Sequence, residues 1–459
     1  MSRLWEKGEG VKDEVLAFTV GNDTELDLNL IKFDAIASAA HARMLGQIGV
    51  LSKEEVLSLV GGLSEVHKTA GSDEFSIPKE LEDCHGAIEA YLVDKVGDAG
   101  KKIHTGRSRN DQVLVALRLY IRTELLNITE LLIGLSQTIV ARAEQEADVE
   151  MPGYTHMQAA MPTSVGVWLS AFSEWSLELI KEAGALSRLI DRNPLGAASG
   201  FGVPLKLDRE KTAELLGFKR VQRNPIDVQN SRGRYELKLL RWLVDIGQMV
   251  EKFSWDMLLY STDEFGFFSL PVDLTTGSSI MPQKHNPDIL ELMRAKVSKL
   301  RAAQNELEWV TGKLPSHYHR DFQLTKEPLF SSVANAKELL SVFNLVVNSI
   351  EVNKEKLSSK QTPELYATYA AYKKVANGQA FRDAYKKTAE ELKAGKIDPK
   401  NYADEFEVAV LSDFKQSQQD AKLELKKHVK SFNAEKARLE KVESEIFKCK
   451  DGWGAKLFK

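Results

Sequence analysis

Cysteine is almost missing from this chain of 459 residues: Cys84 and Cys449 are its only two, far apart. That excludes a disulfide framework and a cysteine-rich zinc site, and it points to a reducing compartment. A one-sided charge is also missing. Lys and Arg number 62 against 66 Asp and Glu, a net charge of −4, so nothing invites a nucleic acid. The opening residues, MSRLWEKGEGVKDE, lack the apolar stretch of a secretory signal. The longest run free of Asp, Glu, Lys and Arg, Met151 to Ser173, holds two prolines and many polar side chains, so no membrane span is expected. Segments of alternating polar and apolar residues are too few to build a sheet. What remains, 43% hydrophobic and 28% charged residues, is the composition of a soluble globular protein, expected in the cytoplasm.

Proline is scarce where it would interrupt helices. None occurs between Pro78 and Pro152, between Pro225 and Pro271, or between Pro287 and Pro315. In the first gap Val113, Leu117, Tyr120, Ile121, Leu125, Ile128, Leu132, Leu135 and Ile139 recur at steps of three and four. This is helical period sustained for about 60 Å, with further apolar residues that imply burial on several sides. Similar segments fill 163–192, 226–264, 288–311 and 328–353, so the spacing predicts an all-α chain built on an up-and-down bundle of long helices. Residues 1–107 read as an N-terminal domain of shorter helices, 108–358 as the bundle, and 359–459 as a smaller helical domain rich in Lys and Glu. Ser52 and Glu55 have the spacing of a capping box opening one of the shorter helices.

Three polar segments break this pattern. HTGRSRNDQ at 104–112 opens the longest helix with two arginines, hydroxyls and amides. A helix N-terminus of that kind binds anions, or is simply a well-capped start. PGYTHMQ at 152–158 sets Thr155 and His156 between helices. The imidazole is either a general acid or base or a histidine satisfied by a nearby carbonyl. TGSSIMPQKHNPDILE at 276–291 carries Ser278, Ser279 and Lys284, with Asn286 as a predicted cap and Pro287 at the first helical position. In the bland reading it is only a good helix start, with Glu291 paired to Arg294. Its length and polarity suit a mobile lid.

Together these segments resemble the signature regions of the fumarase/aspartase superfamily, whose shared fingerprint is GSSxMPxKxN. HTGRSRNDQ and PGYTHMQ are similar to those of the argininosuccinate lyase family. The likeness extends from RLW at 3–5, through EDCH at 82–85 and LPSHYHRDFQLTKE at 314–327, to GQAFRDAY at 378–385. It implies a homotetramer with a shared twenty-helix core, each active site drawing on three subunits. It also implies elimination of fumarate from argininosuccinate to leave arginine, without metal or organic cofactor.

By the same resemblance Ser278, His156, Lys284 and Glu291 are catalytic. Ser278 is expected as the base and His156 as the acid oriented by Glu291, although the reverse assignment stays open. Lys284 and Asn286 hold the carboxylate that takes up charge. Ser108, Asn110 and Thr155 bind the succinyl end; Tyr318, Gln323 and Lys326 anchor the arginine end; Asp23, His85 and Arg109 complete the site. Departures from the family pattern are Glu6-Lys7, His285, Ala380, Tyr385 and Asp23, the last where serine is usual. Two other readings compete: a relative acting on a different succinyl compound, and a non-catalytic structural protein on the same scaffold.

Overall fold

In the computed structural model the described residues are 12–71 and 75–448. The RLW motif, Glu6, Lys7 and Cys449 lie outside them. Numbered in chain order, the longer helices are α1 (Ile31–Gln47), α2 (Lys53–Thr69), α3 (Cys84–Val96), α4 (Arg109–Gln145), α5 (Val165–Ile190), α6 (Arg234–Tyr260), α7 (Asp288–Thr311), α8 (Lys326–Ser349), α9 (Ala367–Ala376), α10 (Phe381–Lys393) and α11 (Ser412–Ile446). The five predicted bundle helices are α4 to α8; their bounds lie close to the expected segments except at α6, which begins at Arg234 rather than 226 because a separate short helix, Pro225–Gln229, occupies the start of that segment. The predicted capping box is present at Ser52 and Glu55, and a second one at Ser108 and Asp111 starts α4.

Cross-links fix the up-and-down order. Arg118 near the start of α4 donates to the Ile190 and Arg192 carbonyls beyond α5, and to Ser231 before α6. At the other end Arg142 of α4 donates to the Ile350 carbonyl after α8. Trp168 at the start of α5 donates to Asp256 near the end of α6. The bundle therefore has two ends. The starts of α4, α6 and α8 share one with the close of α5 and α7, and the opposite termini share the other. Gly247 lets α6 and α7 approach, since a Cβ there would lie 2.9 Å from Val297.

By length and hydropathy α4 is the one described helix able to cross a membrane. In this fold α1, α5, α8 and α11 pack around it. The last helix also rejoins the main core: Phe414, Ala421, Leu425 and Phe432 pack into it, whereas Leu365, Tyr366, Tyr369, Ile397, Tyr402 and Phe406 form a core of their own.

Strands appear where none were expected, all in two-stranded antiparallel pairs. The largest is β1 (Glu150–Thr155) with β2 (Gln158–Ser164); Phe268–Ser269 pairs with Glu351–Val352, and Thr276–Gly277 with His285–Asn286. Each is too short to leave a periodic trace in sequence. The predicted Asn286 cap is not formed. Asn286 is drawn into its strand pair, where its amide reaches the Gly277 carbonyl at 3.4 Å, and Pro287 stands at the N-cap. Arg294 lies over the Trp255 ring at 4.2 Å and makes no ion pair with Glu291.

Phe253 shows what holds the bundle at its hairpin-bearing end. It is fully buried, stacked on Trp168 at 5.6 Å and against Phe343 at 4.4 Å, so it joins α5, α6 and α8. Phe253→Ala is expected to cost about 3–5 kcal/mol, seen as a drop in the thermal unfolding midpoint; an unchanged midpoint would contradict this packing.

Candidate functional site

At the end of the bundle where α4 begins, a cleft is lined by Asp23, His85, Arg109, Asn110, Tyr318, Gln323 and Lys326, seven of the predicted site residues. Ser108 stands beside it as the N-cap of α4, its hydroxyl accepting from the Asn110 amide at 3.3 Å. Asp111 secures this corner from below. Its carboxylate accepts from the backbone of Ser108, Gly196 and Ala198, tying the glycine-rich loop 194–204 to the helix start.

Lys326 is the electrostatic centre of the cleft. Its buried ammonium donates to Asp27 at 2.6 Å and to Asp23 at 3.0 Å. Burial would raise the Asp27 carboxyl, but Lys326 and then His85 hold it below the usual range. Burial raises the Asp23 carboxyl, Lys326 offsets this only in part, and the like charge of Asp27 adds to the rise. For Lys326 burial favours the neutral amine, yet the two carboxylates keep it charged. Gln323 spends its amide on the Thr19 and Val20 carbonyls, and Arg109 pairs with Asp83 at 3.0 Å. Arg232 lies over Tyr318 at 5.5 Å and positions that ring. Asp27, Cys84 and His85 bring donor atoms close enough to suggest a metal. The set does not fit one: the Lys326 ammonium sits on Asp27, and burial pushes the Cys84 thiol well up, keeping it protonated.

The remaining predicted residues lie at the opposite end. Thr155 and His156 crown the β1–β2 hairpin, where His156 and Met157 form a two-residue turn with φ of 53° and 60°. His156 is exposed and makes no hydrogen bond among the described residues, so no contact with Glu291 exists within the chain. Ser278 sits in the loop of the Thr276–Asn286 hairpin, its hydroxyl accepting from the Ile280 amide at 3.3 Å and the Met281 amide at 3.1 Å. These are donors of the kind a serine base requires. Lys284 in the same loop has no ion-pair partner among the described residues, and Glu291 is exposed in the first turn of α7. The 37 residues of α4 separate the two groups by about 55 Å. One chain therefore brings eight predicted residues together at the cleft and six others at the far end.

Sequence reasoning missed Asp27, Asp34, Asp83, Arg232 and Arg320 at or beneath the cleft. Asp27 and Asp34 follow Asp23 by four and eleven residues, the helical repeat that keeps acids on one face, and that signal could have found them. Arg232 and Arg320 carry no such mark: Arg232 sits in the turn before α6 and Arg320 opens a short 3₁₀ turn before α8.

Residues 14–301 match a family model described as lyase. Argininosuccinate lyase from Thermotoga neapolitana is 43% identical over 396 residues, covering 84% of this chain and 98% of that protein. The enzyme of that name from Sorangium cellulosum is 43% identical, covering 85% and 91%. Among solved structures, an EDDS lyase variant with bound fumarate superposes with a TM-score of 0.78 at 22% identity, covering 98% of this chain and 96% of that one. A class II fumarase from Schistosoma mansoni gives 0.72 at 18%, covering 88% and 94%; at such identities the likeness shows the fold.

Removing the central cation should be costly. Lys326→Met leaves two buried carboxylates facing each other and is expected to destabilise the chain by about 3–5 kcal/mol at neutral pH. Without the ammonium both acids would have folded-state pKa values above their unfolded ones, so the loss should shrink as pH falls and they protonate. Urea midpoints at neutral and mildly acidic pH test this; a penalty that grows on acidification would refute it.

Proposed function

This chain belongs to the argininosuccinate lyase family of the fumarase/aspartase superfamily, and from that premise we propose that it eliminates fumarate from argininosuccinate to leave arginine, working as a homotetramer in the cytoplasm without a cofactor. The chemistry is a carbon–nitrogen cleavage on the succinyl arm. A base removes a Cβ proton, the electron pair is held as an aci-carboxylate on the adjacent carboxyl, and the C–N bond then breaks. The departing guanidino nitrogen leaves with arginine, and the double bond of fumarate remains.

One observation carries the reading: the expected site residues collect at two distant ends of a straight bundle. A cleft of cations, amides and carboxylates lies at one end, and a serine loop with an exposed imidazole at the other. Neither group suffices for an elimination. An antiparallel neighbour would set the His156 hairpin of one copy and the Ser278 loop of another over the cleft of a third. Exposed apolar side chains on the bundle, Trp255 at 56%, Leu292 at 59% and Trp309 at 78%, suit such burial between copies.

In this arrangement Ser278 takes the Cβ proton, its two amide donors easing the charge on oxygen, and Lys284 and Asn286 hold the carboxylate that gains charge. His156, oriented by Glu291 across the contact, serves the leaving nitrogen. Thr155, Ser108 and Asn110 hold the succinyl arm, while Tyr318, Gln323, Lys326 and Asp23 face the amino-acid arm.

Fumarate release followed by its ultraviolet absorbance tests the activity, with other N-succinyl compounds as comparison; silence with argininosuccinate ends the reading. Ser278→Ala is expected to lower turnover roughly 100- to 10,000-fold while assembly is kept. The sharing of sites has its own check. Ser278→Ala and Asn110→Ala subunits, each inactive alone, should regain activity when unfolded and refolded together, because some sites then draw only intact groups. No recovery in mixed oligomers would exclude composite sites.

A further inference from the structure

Beneath the cleft lies a polar cluster that the mechanism above does not use. Asp34 of α1 is fully buried, and its carboxylate is met from three sides. His85 Nδ1 lies 2.9 Å from Oδ2, the Gln112 amide donates to both oxygens at 3.0 and 3.1 Å, and the Ser38 hydroxyl reaches Oδ1 at 3.4 Å. Arg107 donates to the Ser38 hydroxyl at 2.8 Å and closes the cluster. Three donors making four hydrogen bonds to one carboxylate keep it ionised, which fixes Nδ1 of His85 as the hydrogen-bearing nitrogen. The other ring nitrogen, Nε2, belongs to a side chain only 4% exposed that lines the cleft, and it is buried with no partner among the described residues. A buried polar atom left open at the wall of a binding cleft calls for a ligand.

We propose that Asp34 is a positioning residue that holds His85 as an imidazolium, whose Nε2–H binds a carboxylate oxygen of the substrate on the floor of the cleft. The inference deepens the lyase reading, which supplies only the identity of the anion. Charges around the ring agree. Burial works against the charged ring, but Asp34, with Asp83 on its own helix and Asp27 opposite, keeps its pKa above the usual value. Against it stand the neighbouring His104 ring and the cations bound to its partners: Lys326 on Asp27, Arg107 on Ser38 and Arg109 on Asp83. Two neighbouring histidines lack that support. Burial and Arg107 drive His104 down to about 4 and His41 well below its ordinary value, the opposite direction to His85. Hydrogen bonding to a charged partner is worth about 1.5–3 kcal/mol in general, which corresponds to roughly 10- to 100-fold in affinity.

Calorimetric binding of fumarate and, separately, of arginine to the assembled enzyme tests the idea; the anion that responds shows which end of the substrate His85 holds. His85→Leu should weaken one of them roughly 10- to 100-fold, and His85→Gln, which keeps a donor, should weaken it less. Asp34→Asn should move the pH above which that anion is released to a lower value, since the ring then loses its proton earlier. Should Asp34→Asn fail to assemble, the two His85 variants decide alone. Unchanged affinity for both anions in His85→Leu, or an unmoved pH dependence in a folded Asp34→Asn, overturns the proposal. Wild-type enzyme that binds fumarate through His85 yet releases none from argininosuccinate would instead sink the lyase reading.

Discussion

A straight helix of 37 residues stands between the cleft and the hairpins, and everything functional about this molecule answers to that rod. An α-helix buried on several sides does not bend by half its length, so Asn110 and His156 of one polypeptide cannot share a substrate. The chain accordingly folds as a spacer with different chemistry at each tip. Its long apolar flanks hold the tips in register, and the same flanks remain partly uncovered when the chain is alone.

Cleft chemistry rests on buried charges arranged so that none is left alone. Lys326 between Asp23 and Asp27, Arg109 on Asp83, and Asp34 under its three donors form a connected floor drawn from the N-terminal segment, α1, α3, α4 and α8. Such networks add little net stability but penalise every alternative packing, because a displaced partner strands a charge in a low-dielectric interior. That property would suit the composite site proposed above, in which the cleft keeps its shape until groups from other copies arrive.

Much of this was legible in the sequence. Long proline-free periodic runs marked α4 to α8 because a buried helix repeats its apolar face many times over, and the three polar segments stood out against that repetition. Two-stranded hairpins escaped notice because two to seven residues carry too little alternation to register. Asn286 was misjudged as a cap for the same reason: its strand partner, Thr276, lies ten residues away, and local propensity cannot anticipate it. At the cleft the residues named from family motifs fell together, whereas Arg232 and Arg320 depended on where the turns before α6 and α8 land. The division of the site between two ends was visible only once the helices had direction.

The turn at His156 and Met157 has the positive φ signs of a type I′ hairpin, a conformation that asparagine and glycine adopt far more readily. Non-glycine residues held there cost of order 1–3 kcal/mol each. Anyone seeking a more heat-resistant version by consensus turn design would choose an Asn-Gly pair at this spot, and would thereby delete the imidazole. Under the role proposed for His156, thermal robustness and chemistry compete at this turn, and robustness would have to be gained elsewhere in the fold.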